Sequence, residues 1–277
     1  MEHKKLVSIQ DISCMGQCSL TVALPIISAL GVETVILPTA VLSTHTGGFE
    51  NFTFHDLTDE MPEISRHWES LGLEFDAIYT GYLGSFKQIE YVLDFIAKFR
   101  KPNTVVFVDP AMGDHGKLYT GFDTRFAKEM AKLCAKADII VPNLTEASFM
   151  LGKEYIGSGH SKEYIEDMLR GLADLGAKKV ILTGVSFEKG KLGVAYYDAE
   201  KDSVFYYFND AFEGVFHGTG DIFASTCIGA YTRGRSIEES VKLAADFVCA
   251  AINNTIDSRK GHEYGVRFEE CLPMLLK

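Results

Sequence analysis

Phe216-His217-Gly218-Thr219-Gly220-Asp221-Ile222-Phe223-Ala224-Ser225 runs a glycine-rich turn straight into an apolar, small-residue segment. The segment Ile222 to Tyr231 predicts a buried helix, so the turn lies at a helix N-terminus. Gly218 and Gly220 have no Cβ, and an incoming group can approach their backbone closely. The first N–H groups of a helix lack an internal partner and, with the helix dipole, make an anion site. Asp221 at that mouth is a candidate base for a substrate hydroxyl, with transferred phosphate held by the N–H groups beside it. The same residues also suit an ordinary turn in which Thr219 or Asp221 caps the helix. The surrounding chain has to decide between the two.

Before this stretch, Lys191 to Tyr197 and Ser203 to Phe208 read as an antiparallel hairpin. After it come a helix from Ile237 to about Ile256 and a short tail helix near Phe268 to Leu276. Toward the N-terminus, strands and helices alternate. Strands are expected at Lys5 to Gln10, Val32 to Leu37, Phe75 to Thr80, Thr104 to Val108, Asp138 to Val141 and Lys178 to Leu182. Helices are expected at Cys18 to Leu30, Leu57 to Leu71, Ser85 to Phe99, Phe122 to Lys136, near Glu146 to Leu151, and at Ser161 to Leu175. Ser85 and Gln88 have capping-box spacing. The polar run Leu42 to Phe49 breaks the rhythm and reads as a surface loop or a small flap over a ligand. The alternation predicts a three-layer, doubly wound α/β fold with a mainly parallel sheet, a small flap and a late β-hairpin. With no repeat, linker or low-complexity tract, residues 1–277 read as one domain.

Composition bounds the function. The 277 residues are 47% hydrophobic and 23% charged, ample for a globular core. A net charge of −11 argues against a general nucleic-acid surface, while backbone N–H groups can still hold a phosphate locally. The six cysteines lack CxxC pairing and read as reduced thiols of a cytoplasmic protein. Met1 to Lys5 leads into only a short apolar strand, which does not read as a signal peptide. Leu20 to Leu42 is apolar on average but broken by Pro25, Gly31, Glu33 and Pro38, so a helix and a strand explain it better than a membrane span.

Polar and glycine-rich clusters recur at strand carboxyl ends: Gly81-Tyr82, Asp109-Pro110, Asn143 to Glu146, and Thr183-Gly184. Ligands of open α/β sheets bind along that edge. Asp109 and Glu146 offer oxygen atoms to a hard metal, directly or through water. Gly184 to Leu192 fails as a P-loop, because its glycines are one residue too far apart and Leu192 stands where Ser or Thr is required. Phe223 occupies the third glycine position of a dinucleotide fingerprint, and neither zinc spacing nor a GxSxG elbow occurs.

In order along nearly the whole chain, Ser8-Ile9-Gln10, Ser43-Thr44-His45-Thr46-Gly47, Thr80-Gly81-Tyr82-Leu83-Gly84-Ser85, Asp109-Pro110-Ala111-Met112-Gly113, Pro142-Asn143-Leu144-Thr145-Glu146 and Gly218-Thr219-Gly220-Asp221 carry a resemblance. The sequence resembles the ribokinase-like superfamily and, within it, the pyridoxal/pyridoxamine (vitamin B6) kinases. The resemblance implies ATP-dependent phosphorylation of the 5′-hydroxymethyl group of a B6 vitamer, with Mg2+ and with a monovalent cation such as K+ left open. It implies Asp221 as base and Gly218, Thr219 and Gly220 as anion hole. Asn143 and Glu146 match the magnesium-network motif, Asp109 an acidic residue near metal and phosphates, and Thr183 and Gly184 positions lining the ATP site. His45, Thr46 and Tyr82 match positions around the pyridine ring, and Asp114 to Gly121 matches a lid. A small-molecule substrate and a homodimer follow from the same resemblance.

Two positions depart from it. Asp11 stands where these kinases usually carry a serine that contacts the pyridine, and His217 where an apolar residue is common. Both are expected to face substrate, and an acidic Asp11 favours a cationic amine or a ring N–H. The alternatives are a hydroxymethylpyrimidine kinase of thiamin synthesis and a non-catalytic protein that binds a B6 vitamer.

Overall fold

The computed structural model describes residues 3–257 and 264–276; Met1 and Glu2, which opened the leader reading, lie outside the described residues. In chain order the elements are β1 (Lys5–Met15), α1 (Leu20–Ala29), β2 (Glu33–Thr44), β3 (Phe54–Asp56), α2 (Glu60–Ser70), β4 (Ala77–Thr80), α3 (Phe86–Phe99), β5 (Val105–Val108), β6 (Gly113–Asp114), β7 (Lys117–Leu118), α4 (Thr124–Cys134) and β8 (Ile139–Ile140). There follow α5 (Leu144–Leu151), α6 (Lys162–Asp174), β9 (Lys179–Val185), β10 (Lys191–Asp198), β11 (Ser203–Asp210), α7 (Thr219–Thr232), α8 (Ile237–Asp257) and a 3-10 segment, Glu269–Leu275.

Strand residues alternate between the two faces of a nine-stranded sheet, ordered β11-β10-β9-β8-β5-β4-β1-β2-β3. Val7 and Ile9, Val106 and Val108, and Val180 and Leu182 point to a core shared with α2 to α6. Their neighbours Leu6, Phe107 and Ile181 point to the opposite core, closed by α1, α7 and α8. The result is a doubly wound three-layer α/β fold. From β2 to β9 the central strands run parallel, with β3, β10 and β11 antiparallel at the edges. Strand β1 lies between β2 and β4, so the chain winds first one way from it and then the other. Ligands of folds wound this way bind outside the strand carboxyl ends at that reversal.

Several elements exceed or miss their expected bounds. β1 and β2 continue as a pair to Met15 and Thr44, past a register shift at Gln10/Ile12. Their polar residues Asp11, Ser13 and Thr44 hide this extension from a hydrophobicity pattern, and the expected loop at Leu42 therefore begins inside a strand. β3 pairs with β2 at Ala40–Leu42, so the flap grows out of the sheet edge. β9 runs through Thr183 and Gly184 to Val185. The polar loop after Asp109 contains the β6–β7 hairpin. The tail is a 3-10 segment because Pro273 lies within it and cannot donate to an α-ladder. Ser85 caps α3 as its spacing predicts, but the Gln88 side-chain Oε1 accepts from Gly84 N–H instead of Ser85 N–H and leaves the reciprocal half of the box unmade.

Candidate active site

α7 begins without a side-chain cap. Thr219 Oγ1 turns back to donate to the Phe216 carbonyl at 3.1 Å, and the first bond up the helix is Ile222 N–H to the Gly218 carbonyl at 2.9 Å. The N–H groups of Thr219, Gly220 and Asp221 precede that bond and have no intrahelical acceptor. The ordinary capped turn, the other reading of this stretch, is thereby ruled out. Gly218 holds φ 81, and a Cβ there would stand 1.7 Å from the Gln17 carbonyl oxygen. Both facts require glycine. Gln17 is fixed in turn by its N–H to the Tyr264 carbonyl at 2.8 Å and its amide to Glu269 at 2.6 Å.

The carboxyl edge supplies the rest in sheet order: Glu146 after β8, Asp109 after β5, Tyr82 after β4, and Asp11 within β1, with Asp221 at the mouth of α7. Their electrostatics run in the same series. Glu146 feels Asp109, Asp109 feels Asp221, and Asp221 feels Asp11. Burial is the main cause in each case, and it raises Glu146 and Asp109 well above the carboxylate range. Asp221 is half-buried at the cleft mouth, and burial lifts its pKa to about 7, opposed by the Ser19 N–H that faces it. Asp11 is raised by burial although Ser19 Oγ (2.5 Å) and Ser13 Oγ (3.1 Å) donate to it. No Lys or Arg among the described residues forms an ion pair with any of these four carboxyls.

Asn143 and Glu146 form a complete capping box on α5. Asn143 Oδ1 accepts from Glu146 N–H at 3.0 Å, and its Nδ2 donates to the Gly113 carbonyl at 2.8 Å. Glu146 accepts from Met112 N–H at 3.1 Å and Asn143 N–H at 2.9 Å. Thr183 lies beside Asn143 through a bridge between β9 and the start of α5, and Gly184 follows at φ 80. At the other end of the edge, His45 lies 5.2 Å from the His217 ring and 5.0 Å from Phe49, with Gly47 N–H donating to its Nδ1 at 3.1 Å. Burial and the neighbouring His217 hold His45 below the usual imidazole range. Tyr82 sets its ring against Phe122 at 5.7 Å, tilted by 33°, and burial with Asp11 raises its hydroxyl to about 12. Thr46 is exposed on the flap.

Two residues escape the sequence reading. Ser19 touches both Asp221 and Asp11, from a position where the pattern reads only helix. Tyr119 keeps 41% of its surface exposed, yet the charges of Glu146, Asp114, Asp109 and Asp221 add to burial in raising its phenol. Its only sequence signal is its place in the polar run expected to act as a lid.

The phosphomethylpyrimidine kinase family model matches residues 23–265. The chain belongs to that family. A Bacteroides thetaiotaomicron protein of candidate phosphomethylpyrimidine kinase assignment, crystallised with pyridoxal, is 40% identical, with a TM-score of 0.94 over 99% of this chain and 96% of its own. Pyridoxal kinase from Lactobacillus plantarum is 30% identical, with a TM-score of 0.91 over 99% of this chain and 97% of its own. A candidate pyridoxal kinase of Schizosaccharomyces pombe is 26% identical over 206 residues, 72% of this chain but only 59% of the relative. The fold is ribokinase-like, and this kinase is a phosphotransferase with an alcohol acceptor. No helix among the described residues is long and apolar enough to cross a membrane.

Proposed function

We propose that the kinase transfers the γ-phosphoryl group of ATP to the 5′-hydroxymethyl group of a vitamin B6 vitamer. The observation that carries this reading is the uncapped N-terminus of α7 with Asp221 beside it. Asp221 takes or orients the alcohol proton, and the N–H groups of Gly218, Thr219 and Gly220 face the transferred phosphoryl group. Thr183 and Gly184 line the nucleotide end. Asn143 acts there by fixing Glu146 and Gly113, since its amide is already engaged on both sides.

Asp109 and Glu146 suit Mg2+: both are buried carboxyls raised first by burial, Asp109 further by Asp221 and Glu146 further by Asp109, and such groups gain from a hard cation. No three His, Cys, Asp or Glu side chains among the described residues gather into a metal-holding group. Asp109 and Glu146 would hold Mg2+ between them, and the ion would supply charge stabilisation to the phosphates. Tyr82, His45, His217, Thr46 and Asp11 surround the acceptor ring. Cytoplasmic location and a homodimer belong to the same proposal, with a monovalent cation such as K+ left open.

The vitamer rather than the pyrimidine is favoured by the relatives at 30 and 40% identity, one a pyridoxal kinase and one crystallised with pyridoxal. The family's own description keeps hydroxymethylpyrimidine as the second reading. An ADP-release assay with Mg-ATP separates them when pyridoxal, pyridoxine, pyridoxamine and hydroxymethylpyrimidine are run in parallel. Strong turnover on a vitamer is expected. Turnover on the pyrimidine alone moves the substrate and leaves the mechanism. ATP consumption with none of them favours a vitamer-binding protein.

A further inference from the structure

The loop between α5 and α6 takes no part in the transfer as described so far, yet it is tied to two walls of the cleft. At one end His160 is buried and makes a reciprocal pair with Ser186, the residue that follows β9. His160 N–H donates to the Ser186 carbonyl at 3.1 Å, and Ser186 N–H donates to His160 Nδ1 at 3.0 Å. With Nδ1 accepting, the ring proton sits on Nε2, which donates to the Ile156 carbonyl at 2.9 Å. Tyr164 of α6 holds the same loop from below, its hydroxyl donating to the Glu154 carbonyl at 2.9 Å. Tyr155 is therefore fixed through both of its chain neighbours. Its ring lies against Gly116 at the tip of the β6–β7 hairpin, where an added Cβ would stand 2.8 Å from Tyr155 Cδ1. Thr145 of α5 grips the same tip from another side, its Oγ1 accepting from Gly116 N–H at 2.9 Å. His115 and Gly116 make the turn at φ 49 and φ 75. β6 and β7 have two residues each, and a two-stranded hairpin of that size does not hold itself in water. Its place is set by what it is seated on.

We propose that Tyr155 and His160 are positioning residues of the phosphoryl transfer. His160 fastens the loop to the exit of β9, just beyond Thr183 and Gly184, and Tyr155 seats the hairpin tip. The polar run from Asp114 to Gly121 thereby keeps one place relative to the nucleotide end of the cleft. Neither residue touches a reacting group; they act through Ser186 and Gly116. A covering segment helps the reaction only while it stays over the phosphates and keeps water out. The inference rests on the proposed nucleotide site and on that run covering it.

The test compares wild type, Tyr155→Ala, Tyr155→Phe and His160→Phe. The last keeps a ring beside Tyr164 and removes both nitrogen bonds. Four readouts are taken: kcat, KM for ATP and for the acceptor, the thermal midpoint, and the rate at which trypsin cuts the folded protein after Lys117. Lys117 is exposed on β7 and is the one Lys or Arg from Gly113 to Gly121. Tyr155→Ala and His160→Phe are each expected to lower kcat about tenfold with acceptor KM unchanged, as misplacement of a positioning element does. Cleavage after Lys117 is expected to speed up by about tenfold in both, because a released hairpin opens locally. Tyr155→Phe keeps the ring against Gly116 and should restore both readouts. His160→Phe is the sharper probe: its bonds run to Ser186 and Ile156, so an effect at Lys117 has to travel through the loop. Wild-type kcat and cleavage in that variant overturn the proposal, and so does a Tyr155→Ala protein that loses only thermal midpoint. Should His160→Phe not fold, Tyr155→Ala against Tyr155→Phe decides alone. Proteolysis needs no substrate, so a wild type inactive on every acceptor, with both variants still cut faster, overturns the proposed function and supports the seat of the hairpin.

Discussion

Two helices start at the same edge of the sheet and are finished in opposite ways. α5 closes its own N-terminus: Asn143 and Glu146 satisfy each other's backbone, and the Asn143 amide reaches on to Gly113. α7 keeps its N-terminus open, because Gly218 has no side chain to fold over it and Thr219 turns away. The closed end holds the Glu146 carboxylate rigidly, whereas the open end leaves its first N–H groups without an intrahelical acceptor, which is what the proposed anion hole requires. Position along a sheet edge thus does not decide whether a helix end is structural or functional; the fate of its first N–H groups does.

The comparison breaks most severely at Asp221. Asp221→Asn removes the base with little change of shape, so kcat should fall about 10²- to 10⁴-fold while KM for ATP stays near wild type. Steady-state kinetics check this, and near-normal turnover removes Asp221 from the mechanism. Gly218→Ala fills the open mouth. Its Cβ meets the Gln17 carbonyl, and φ 81 disfavours alanine, so stability should drop by about 1–3 kcal/mol and activity with it. Urea unfolding and turnover together test that expectation. Asn143→Ala opens the closed end instead and should cost about 1 kcal/mol of stability, with a smaller loss of kcat than either change at α7.

The subtlest contrast is in pH. The carboxyl of Asp221 is raised to about 7 in the folded chain, so folding favours its protonated form. Its contribution to stability is full below the ordinary carboxylate range and is lost as pH rises through about 7. The thermal midpoint of Asp221→Asn should therefore gain on wild type between about pH 4 and pH 8. In the same range kcat/KM for the acceptor should rise with pH, because the base must be ionised to act. A flat difference in midpoint would separate the catalytic role of Asp221 from its strain.

Much of this was legible in the residues. Short continuous apolar runs marked the central strands such as β4 and β5, which are buried on both faces, and the helical pattern marked helices such as α3 and α4, which bury one. The glycine-rich turn and the carboxylates at strand ends marked the edge where they gather. What stayed hidden depends on contacts between distant segments. Ser19 reads as a helical residue until the fold sets it against Asp221. The paired extension of β1 and β2 is polar where it leaves the core, so periodicity stops before the hydrogen bonds do. Whether Gly218-Thr219-Gly220-Asp221 is capped turns on where Thr219 points, which spacing alone leaves open.

Gln17 sits where three distant parts of the chain meet: its carbonyl against Gly218, its N–H on Tyr264, its amide on Glu269. Contacts of such long sequence separation close late in folding, after the local helices and the neighbouring parallel strands. A nascent chain leaving the ribosome can assemble the sheet around β1, β2 and β4 early, but Gln17, the residue against which Gly218 of the proposed anion hole is seated, gains its Tyr264 and Glu269 anchors only once that last segment has been made.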